Sequence, residues 1–255
     1  MRATLACSRG VRGDSKVDYF GEQGRVRGST LFVASRPDRI RFDVMSPFGV
    51  NLSTLTSDGK DFALLDVGAK AFYRGASSEC NVRRFLHVPV PPFALVNLLA
   101  GEAPVLAHGP SEALIDWDSG SYRIRIASRH DASQEIRLEP TPDDWNKAYG
   151  EQRLRVLEVR VRQRGVELYR ATMGDFEPAK TAPPSVDPDG IDPDVPPSGP
   201  ACTAEIPRRI HVVSEASGED VLIEHREVHH NPPLQPNLFK QDAPGGVKIR
   251  TTSCP

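Results

Sequence analysis

Three histidines near the end of the chain, His225, His229 and His230, have the side chains best suited to binding a metal or moving a proton. They lie in "VLIEHREVHHNPP", where apolar and polar residues alternate as they do on a β-strand. On such a strand His225 and His229 share a face but stand about 13 Å apart, too far to chelate one ion. Two carboxylate pairs, Asp143 with Asp144 and Asp116 with Asp118, fall in turn-like surroundings, where acidic residues commonly shape turns and solvated faces. A GxSxG elbow, a GxGxxG after a strand, a phosphate-binding P-loop and HExxH are all missing. The residues therefore offer no catalytic set, no metal site and no cofactor site, and the chain reads as a non-enzyme.

The four cysteines, Cys7, Cys80, Cys202 and Cys254, lack CxxC spacing, which removes support for structural zinc. Cys202 and Cys254 flank the last strands. They read either as a bridge tying the tail to the body or as unpaired small apolar residues. "Thr4-Leu5-Ala6-Cys7" is similar to the end of a bacterial lipoprotein signal, in which small residues precede a cysteine that becomes diacylated. Six residues cannot supply the charged and apolar regions of such a signal. Either the true start lies upstream, with Cys7 acylated, or the match is chance.

The elements that must position these residues are mostly strands. Ile40, Phe42 and Val44 alternate with Arg39, Arg41 and Asp43, and similar runs at 26–34, 50–55, 62–66, 71–75, 113–117, 122–127, 134–138, 153–162, 166–173, 206–213 and 221–228 bring the total to about a dozen strands. Short polar connections with glycine, "SDGK", "DSGS", "RQRG" and "ASGED", predict hairpins and hence an antiparallel meander. Helices are expected at 78–85 and at 92–101, the second with Pro92 near its start and Gly101 at its stop. A weaker helical pattern covers 142–149. Residues 177–200 hold eight prolines and few bulky apolar residues, and read as a disordered insert inside one domain.

With 255 residues, 38% of them hydrophobic, the chain is long enough to bury a real core. A net charge of −2 with no basic tract argues against nucleic acid as a partner. No apolar run approaches the roughly 20 residues that span a bilayer as a helix. "Ser46-Pro47-Phe48-Gly49" puts a large apolar ring at a turn tip, where it either folds back onto the core or stays out to touch something apolar.

The order of parts in 24–104, "GRVRGSTLFVASRPDRIRFDVMSPFGVNLSTLTSDGKDFALLD", then "YRG" and "LHVPVPPFALVNLLAGEAP", resembles the LolA and LolB group of bacterial lipoprotein-sorting proteins, as does the closing "VLIEHREVHHNPPLQPNLFKQDAPGGVKI". The resemblance implies a mainly β fold, a strongly curved antiparallel sheet forming an unclosed β-barrel, with short helices as a lid over an apolar hollow. It makes 24–255 a single LolA/LolB-like domain after an N-terminal segment, 1–23. It implies a membrane-inserting loop of Pro47, Phe48 and Gly49, and walls of Leu31, Val33, Ile40, Phe42, Val44, Leu52, Tyr122, Ile124 and Ile126. The lid would be Phe93, Leu95, Val96 and Leu99. The implied role is that of a monomeric outer-membrane lipoprotein facing the periplasm. It would bind acyl chains of lipoproteins or another lipid, received from a periplasmic carrier protein, and pass them to the inner leaflet of the outer membrane without a cofactor. The alternative is a non-transporting envelope lipoprotein with a filled core. One departure stands out. The family's amphipathic helix before the first strand has no counterpart in "SRGVRGDSKVDYFGEQ".

Overall fold

The computed structural model describes residues 6–22, 24–78, 80–82, 88, 90–181, 199, 201–202 and 204–253. The chain forms β1 (Gly10–Gly21), β2 (Gly24–Ser35), β3 (Arg39–Met45), β4 (Asn51–Ser57), β5 (Asp61–Asp66), β6 (Ala71–Ala76), α1 (Pro92–Leu99), β7 (Ala113–Asp118), β8 (Ser121–Ser128) and β9 (Ala132–Pro140). It continues through β10 (Leu154–Gln163), β11 (Val166–Pro178), β12 (Lys180–Thr181), β13 (Glu205–Ser214), β14 (Glu219–His230) and β15 (Lys248–Thr251). Residues 142–149, expected as a weak helix, form only short 3-10 turns, Pro142–Asp144 and Tyr149–Glu151.

Fourteen strands build one curved sheet in the order β15-β6-β5-β4-β3-β2-β1-β14-β13-β11-β10-β9-β8-β7, and β12 adds to β14 in parallel off that path. The two ends, β15 and β7, do not pair, so the barrel is unclosed. All neighbours along the path are antiparallel except β15 and β6. Two-residue hairpins such as Ser119-Gly120 and Arg164-Gly165 need left-handed backbone at both positions, and both pairs adopt it.

The described part of the expected N-terminal segment belongs to the sheet. Its residues 10–21 form β1, a central strand held between β2 and β14. Val11, Gly13, Ser15, Val17 and Tyr19 turn one way and Arg12, Asp14, Lys16 and Phe20 the other. Small and polar residues on the inward face hide this alternation from a hydrophobicity reading.

Topology also explains the inner layer. β6 lies next to one free edge and β7 is the other, so the connection between them, 77–112, must cross the inner face of the sheet. Its helix α1 packs on β2, β3 and β13. Pro92 opens it and Gly101, at φ +77°, closes it, as the sequence predicts. Ala94, Leu95, Val96, Leu98 and Leu99 are all buried, the pattern of a helix enclosed on nearly every side. Polar ties fix the strap at both flanks: Arg36 pairs with Glu102 at 2.5 Å, and Gln134 accepts from the Leu106 N–H at 3.0 Å while donating to the Pro104 carbonyl at 2.5 Å.

On the outer face the C-terminal segment 231–247 lies over β3 to β5. Gln241 donates to the Thr54 and Ala63 carbonyls, both at 2.9 Å, and Arg39 stacks on Phe239. This cover explains why Thr54 and Thr56, outward-facing by strand parity, are buried. Most of the insert at 177–200 lies outside the described residues. Glu177 and Pro178 finish β11, and Lys180 and Thr181 are β12. Among the described residues no helix is long and apolar enough to cross a membrane.

Candidate functional site

The expected walls divide between the two faces of the sheet. Register sets Phe42 opposite Phe32 and Leu55, and Ile40 opposite Ala34, so Ile40, Phe42 and Val44 face inward. Tyr122, Ile124 and Ile126 do so on β8 through Leu138, Ile136 and Gln134. Leu31 and Val33 have the opposite parity and line a separate outer groove of about 390 Å³ with Leu238 and the charged Arg41, Asp43 and Glu227. Leu52 falls at a β-bulge between β3 and β4 and is exposed. The expectation from the family resemblance placed all nine on one surface, whereas cross-strand register decides the face.

Much of the inner hollow is occupied by the protein itself. Ile40, Phe42, Ile126, Leu95, Val96 and Leu99 belong to one continuous buried core with Phe32, Ile210 and Ile223. Three of the four expected lid residues are therefore core, and Phe93 alone is exposed.

On β2 the filling stops part-way along the strand, whereas on β1 and β14 Tyr19 and Val221, opposite and beyond Val26, stay buried. Following inward positions on β2 towards the β1–β2 hairpin, Ala34 is sealed, Phe32 is 1% exposed, Thr30 7%, Gly28 half-buried and Val26 60% exposed. Two glycines mark the boundary. A Cβ on Gly13 would meet the Phe32 ring at 2.6 Å, whereas one on Gly28 would meet nothing nearer than Val44 Cγ1 at 4.0 Å. Among the described residues the space over Gly13 is full and that over Gly28 is open. Val17, Val26, Gly28 and Val44 thus floor an open trough. A glycine inside a strand is the one sequence signal that could have found it, since it marks a bend or an approach to something not in the strand.

The trough opens on the rim formed by the connections 21–24, 46–50, 67–70, 129–131, 164–165 and 215–218, which strand direction gathers at one end of the sheet. This rim carries exposed Phe20, Phe48, Val50, Val67 and Val166. Phe48 is 93% exposed. Its turn is held from below: the Ser46 amide donates to the Val50 carbonyl at 2.8 Å, and Ser46 Oγ accepts from the Val50 amide at 3.0 Å. Pro47 and Gly49 then leave the ring pointing away from the sheet.

At the inner end of the trough a polar row crosses three strands: Thr30 lies opposite Ser15, and Ser15 opposite His225. All three are buried. His225 Nδ1 is 2.8 Å from Ser15 Oγ, and its ring stacks on Phe32 with centroids 5.2 Å apart. Burial pushes the imidazole down to about 3, with Arg208 adding to the shift, so the ring is neutral at physiological pH.

The other residues with chemical potential serve the fold. A β-bulge beside Ser15 reverses parity within β14, so His225 and His230 face inward and His229, paired with Glu227, faces outward. The two histidines expected to share a face do not. His230 is buried between Ser8 Oγ and the Ala204 carbonyl, each at 3.0 Å. Asp144, expected on a solvated turn, is buried; Arg153 and Lys147, with the Arg153 amide, hold its carboxyl well below the usual range. Asp116 pairs with Arg123 and Arg125 on the outer face. Among the described residues no three His, Cys, Asp or Glu gather as a metal site would require.

Cys202 is bonded to Cys7, not to Cys254, which lies outside the described residues. This corrects two expectations together, because the Cys7 sulfur that acylation would use is already in a disulfide. The bridge joins the stretches before β1 and β13, both at the rim opposite Phe48. Cys80 is also disulfide-bonded.

No protein-family model matches the chain, and no curated protein matches it by sequence. Solved structures match over nearly its whole length. A DUF1329 family protein from Desulfovibrio piger aligns over 93% of this chain and 92% of its own, with TM-score 0.57 and 10% identity. A LolA superfamily protein from Nitrosomonas europaea aligns over 94% and 97%, with TM-score 0.54 and 9% identity. A candidate outer membrane lipoprotein-sorting protein domain from Vibrio parahaemolyticus aligns over 93% of each chain, with TM-score 0.52 and 10% identity. At such identities the likeness is one of fold.

Proposed function

We propose that this protein binds the hydrocarbon chains of a lipid or lipoprotein in the trough over Gly28 and releases them to a membrane that meets the Phe48 rim. The observation that carries the reading is the loss of burial along the inward positions of β2, from Thr30 through Gly28 to Val26, which leaves an apolar strip beside Tyr19 open towards an apolar rim. The shared fold with a LolA superfamily protein and a lipoprotein-sorting domain supports it.

Hiding a chain of about 15 methylenes from water is worth on the order of 12 kcal/mol, so such chains do not cross water unescorted. A trough needs no nucleotide to give its guest up; the membrane must only hold the chains better than the protein does. The Cys7–Cys202 bridge suits an oxidising compartment such as the bacterial periplasm, which supports a working site facing the periplasmic side of the outer membrane in this reading.

The test is transfer of a fluorescent fatty-acyl probe. The parent protein takes up the probe and releases it into phospholipid vesicles; Phe48→Ala takes it up equally and releases it more slowly. A parent that takes up no probe removes the binding role. It leaves the rival reading, an envelope protein with a filled core. Phe48→Ala release at the parent rate removes the role given to that ring.

A further inference from the structure

The Thr30–Ser15–His225 row is out of keeping with its surroundings. Its neighbours along the inner face are Phe32 and Gly13 on one side and Val17, Gly28 and Ile223 on the other. Two of its members are also incomplete. Thr30 Oγ1 and His225 Nε2 are buried and make no hydrogen bond. Buried polar atoms nearly always find partners, and leaving one without is destabilising. Two unpartnered groups in one row, next to the β2 positions Gly28 and Val26 where burial falls away, suit a guest that brings its own hydrogen-bonding atoms.

We infer that this row is the anchor for an uncharged, hydrogen-bonding end of the bound lipid, an ester carbonyl or a hydroxyl, with the chain running outward over Gly28 and Val26 to the Phe48 rim. The inference rests on the lipid-binding reading above and adds the class of ligand to it. From Thr30 to Val26 is four residues, about 13 Å of trough.

The row selects against a carboxylate because it offers neutral partners only. The His225 imidazole is uncharged, and with Nδ1 engaged by Ser15 it presents a single site at Nε2. Thr30 presents one hydroxyl, able to donate or accept. Arg208, the cation that acts on His225, is committed to Glu177 at 3.0 Å and to the Arg226 carbonyl at 2.7 Å. In the other direction Val44 separates the row from Ser53 and Asp66, and Asp66 accepts from the Ala69 amide.

The experiment compares two uncharged probes, diphenylhexatriene, a pure hydrocarbon whose fluorescence reports apolar binding, and 1-monolauroylglycerol, which competes for the same space and carries an ester and hydroxyls. Thr30→Val keeps the side-chain shape and removes the hydroxyl. It is expected to weaken monolauroylglycerol about five- to tenfold, leave diphenylhexatriene unchanged, and raise the melting temperature of the ligand-free protein because an unpaired buried hydroxyl is gone. His225→Phe is expected to split the two probes in the same way. Laurate at pH 8 is expected to bind the parent more weakly than monolauroylglycerol. Equal monolauroylglycerol affinity in parent and Thr30→Val, or a lowered melting temperature showing that the hydroxyl already has a bound-water partner, overturns the anchor while leaving apolar binding intact. A parent that binds neither probe ends the anchor and the lipid-binding reading together.

Discussion

Gly28→Ile puts the trough to a direct test. The new Cβ would point into the inner space with Val44 Cγ1 as its nearest neighbour at 4.0 Å, an ordinary contact. The backbone there is extended and paired to Val17, so a β-branched side chain fits the strand. Replacing a strand glycine in this way stabilises the free protein by about 0.5–1 kcal/mol. The four added carbons then occupy room for about four methylenes of a guest chain. At about 0.8 kcal/mol each that removes roughly 3 kcal/mol of binding, a loss of about 100- to 200-fold in affinity. Titration with a fluorescent acyl probe measures the second effect and a thermal melt the first. The combination is diagnostic, since a variant that merely misfolds loses both affinity and stability. A folded Gly28→Ile with affinity within twofold of the parent would refute the claim that guests lie over Gly28, whatever else they bind.

Two further outcomes follow from buried chemistry at the closed end of the molecule and in its core. Cys7 and Cys202 are 195 residues apart in sequence, so their bridge closes a very long loop of the unfolded chain. The double change Cys7→Ser with Cys202→Ser is expected to lower stability by about 2–5 kcal/mol in urea denaturation, and an unchanged midpoint would show that the bridge does not form in the folded protein. His225 has a folded-state value depressed from 6.5 to about 3, so the unfolded chain binds its proton first. Its contribution is complete above pH 6.5 and falls as pH drops towards 3, by up to about 1.4 kcal/mol per pH unit. The stability of His225→Phe should therefore decline less steeply than that of the parent between pH 6.5 and 4. His230, also held low by burial, remains in both proteins and cancels in the difference. Parallel slopes would mean that His225 is not desolvated.

The sequence made β2 to β11, β13 and β14 legible because most of their inward residues are large, whereas the short β12 and the wholly exposed β15 carry no such pattern. Phe42 against Arg41, or Ile136 against Arg137, needs no tertiary knowledge. β1 escaped because its inward residues include Gly13 and Ser15, chosen by what lies over them: the Phe32 ring fills the place of a Gly13 side chain, and Ser15 bonds to His225. The strap helix was legible from Pro92 and Gly101, but its depth was not. A strongly apolar octapeptide reads equally as a lid or as core, and what decides is that β6 and β7 sit at or beside opposite edges, a fact of sheet order. The candidate site shows the same division. Phe48 could be singled out from its Pro and Gly neighbours alone. The trough could not, since it is defined by Val17, Val26, Gly28 and Val44 on three strands and by what the described residues leave uncovered above them.

If the protein binds hydrocarbon as proposed, a half-filled hollow is a reasonable physical compromise, because such a protein must fold before it meets its guest. An unclosed barrel with a wholly empty apolar interior would expose most of that surface to water whenever unloaded, and core burial is the main term opposing chain entropy. Passing the connection between the two edges across the inner face gives β2, β3 and β13 a permanent partner in α1, and the salt bridge and Gln134 ties hold it there without depending on cargo. Among the described residues what stays open is at the rim end of β2 and β3, where Val26, Gly28 and Val44 lie, so the exposed cost while empty is small. The carrier reading proposed above then has a direction. With the Cys7–Cys202 bridge at the opposite rim, a guest chain lying over Gly28 would enter and leave on the side of Phe48, the ring that stands furthest into solvent.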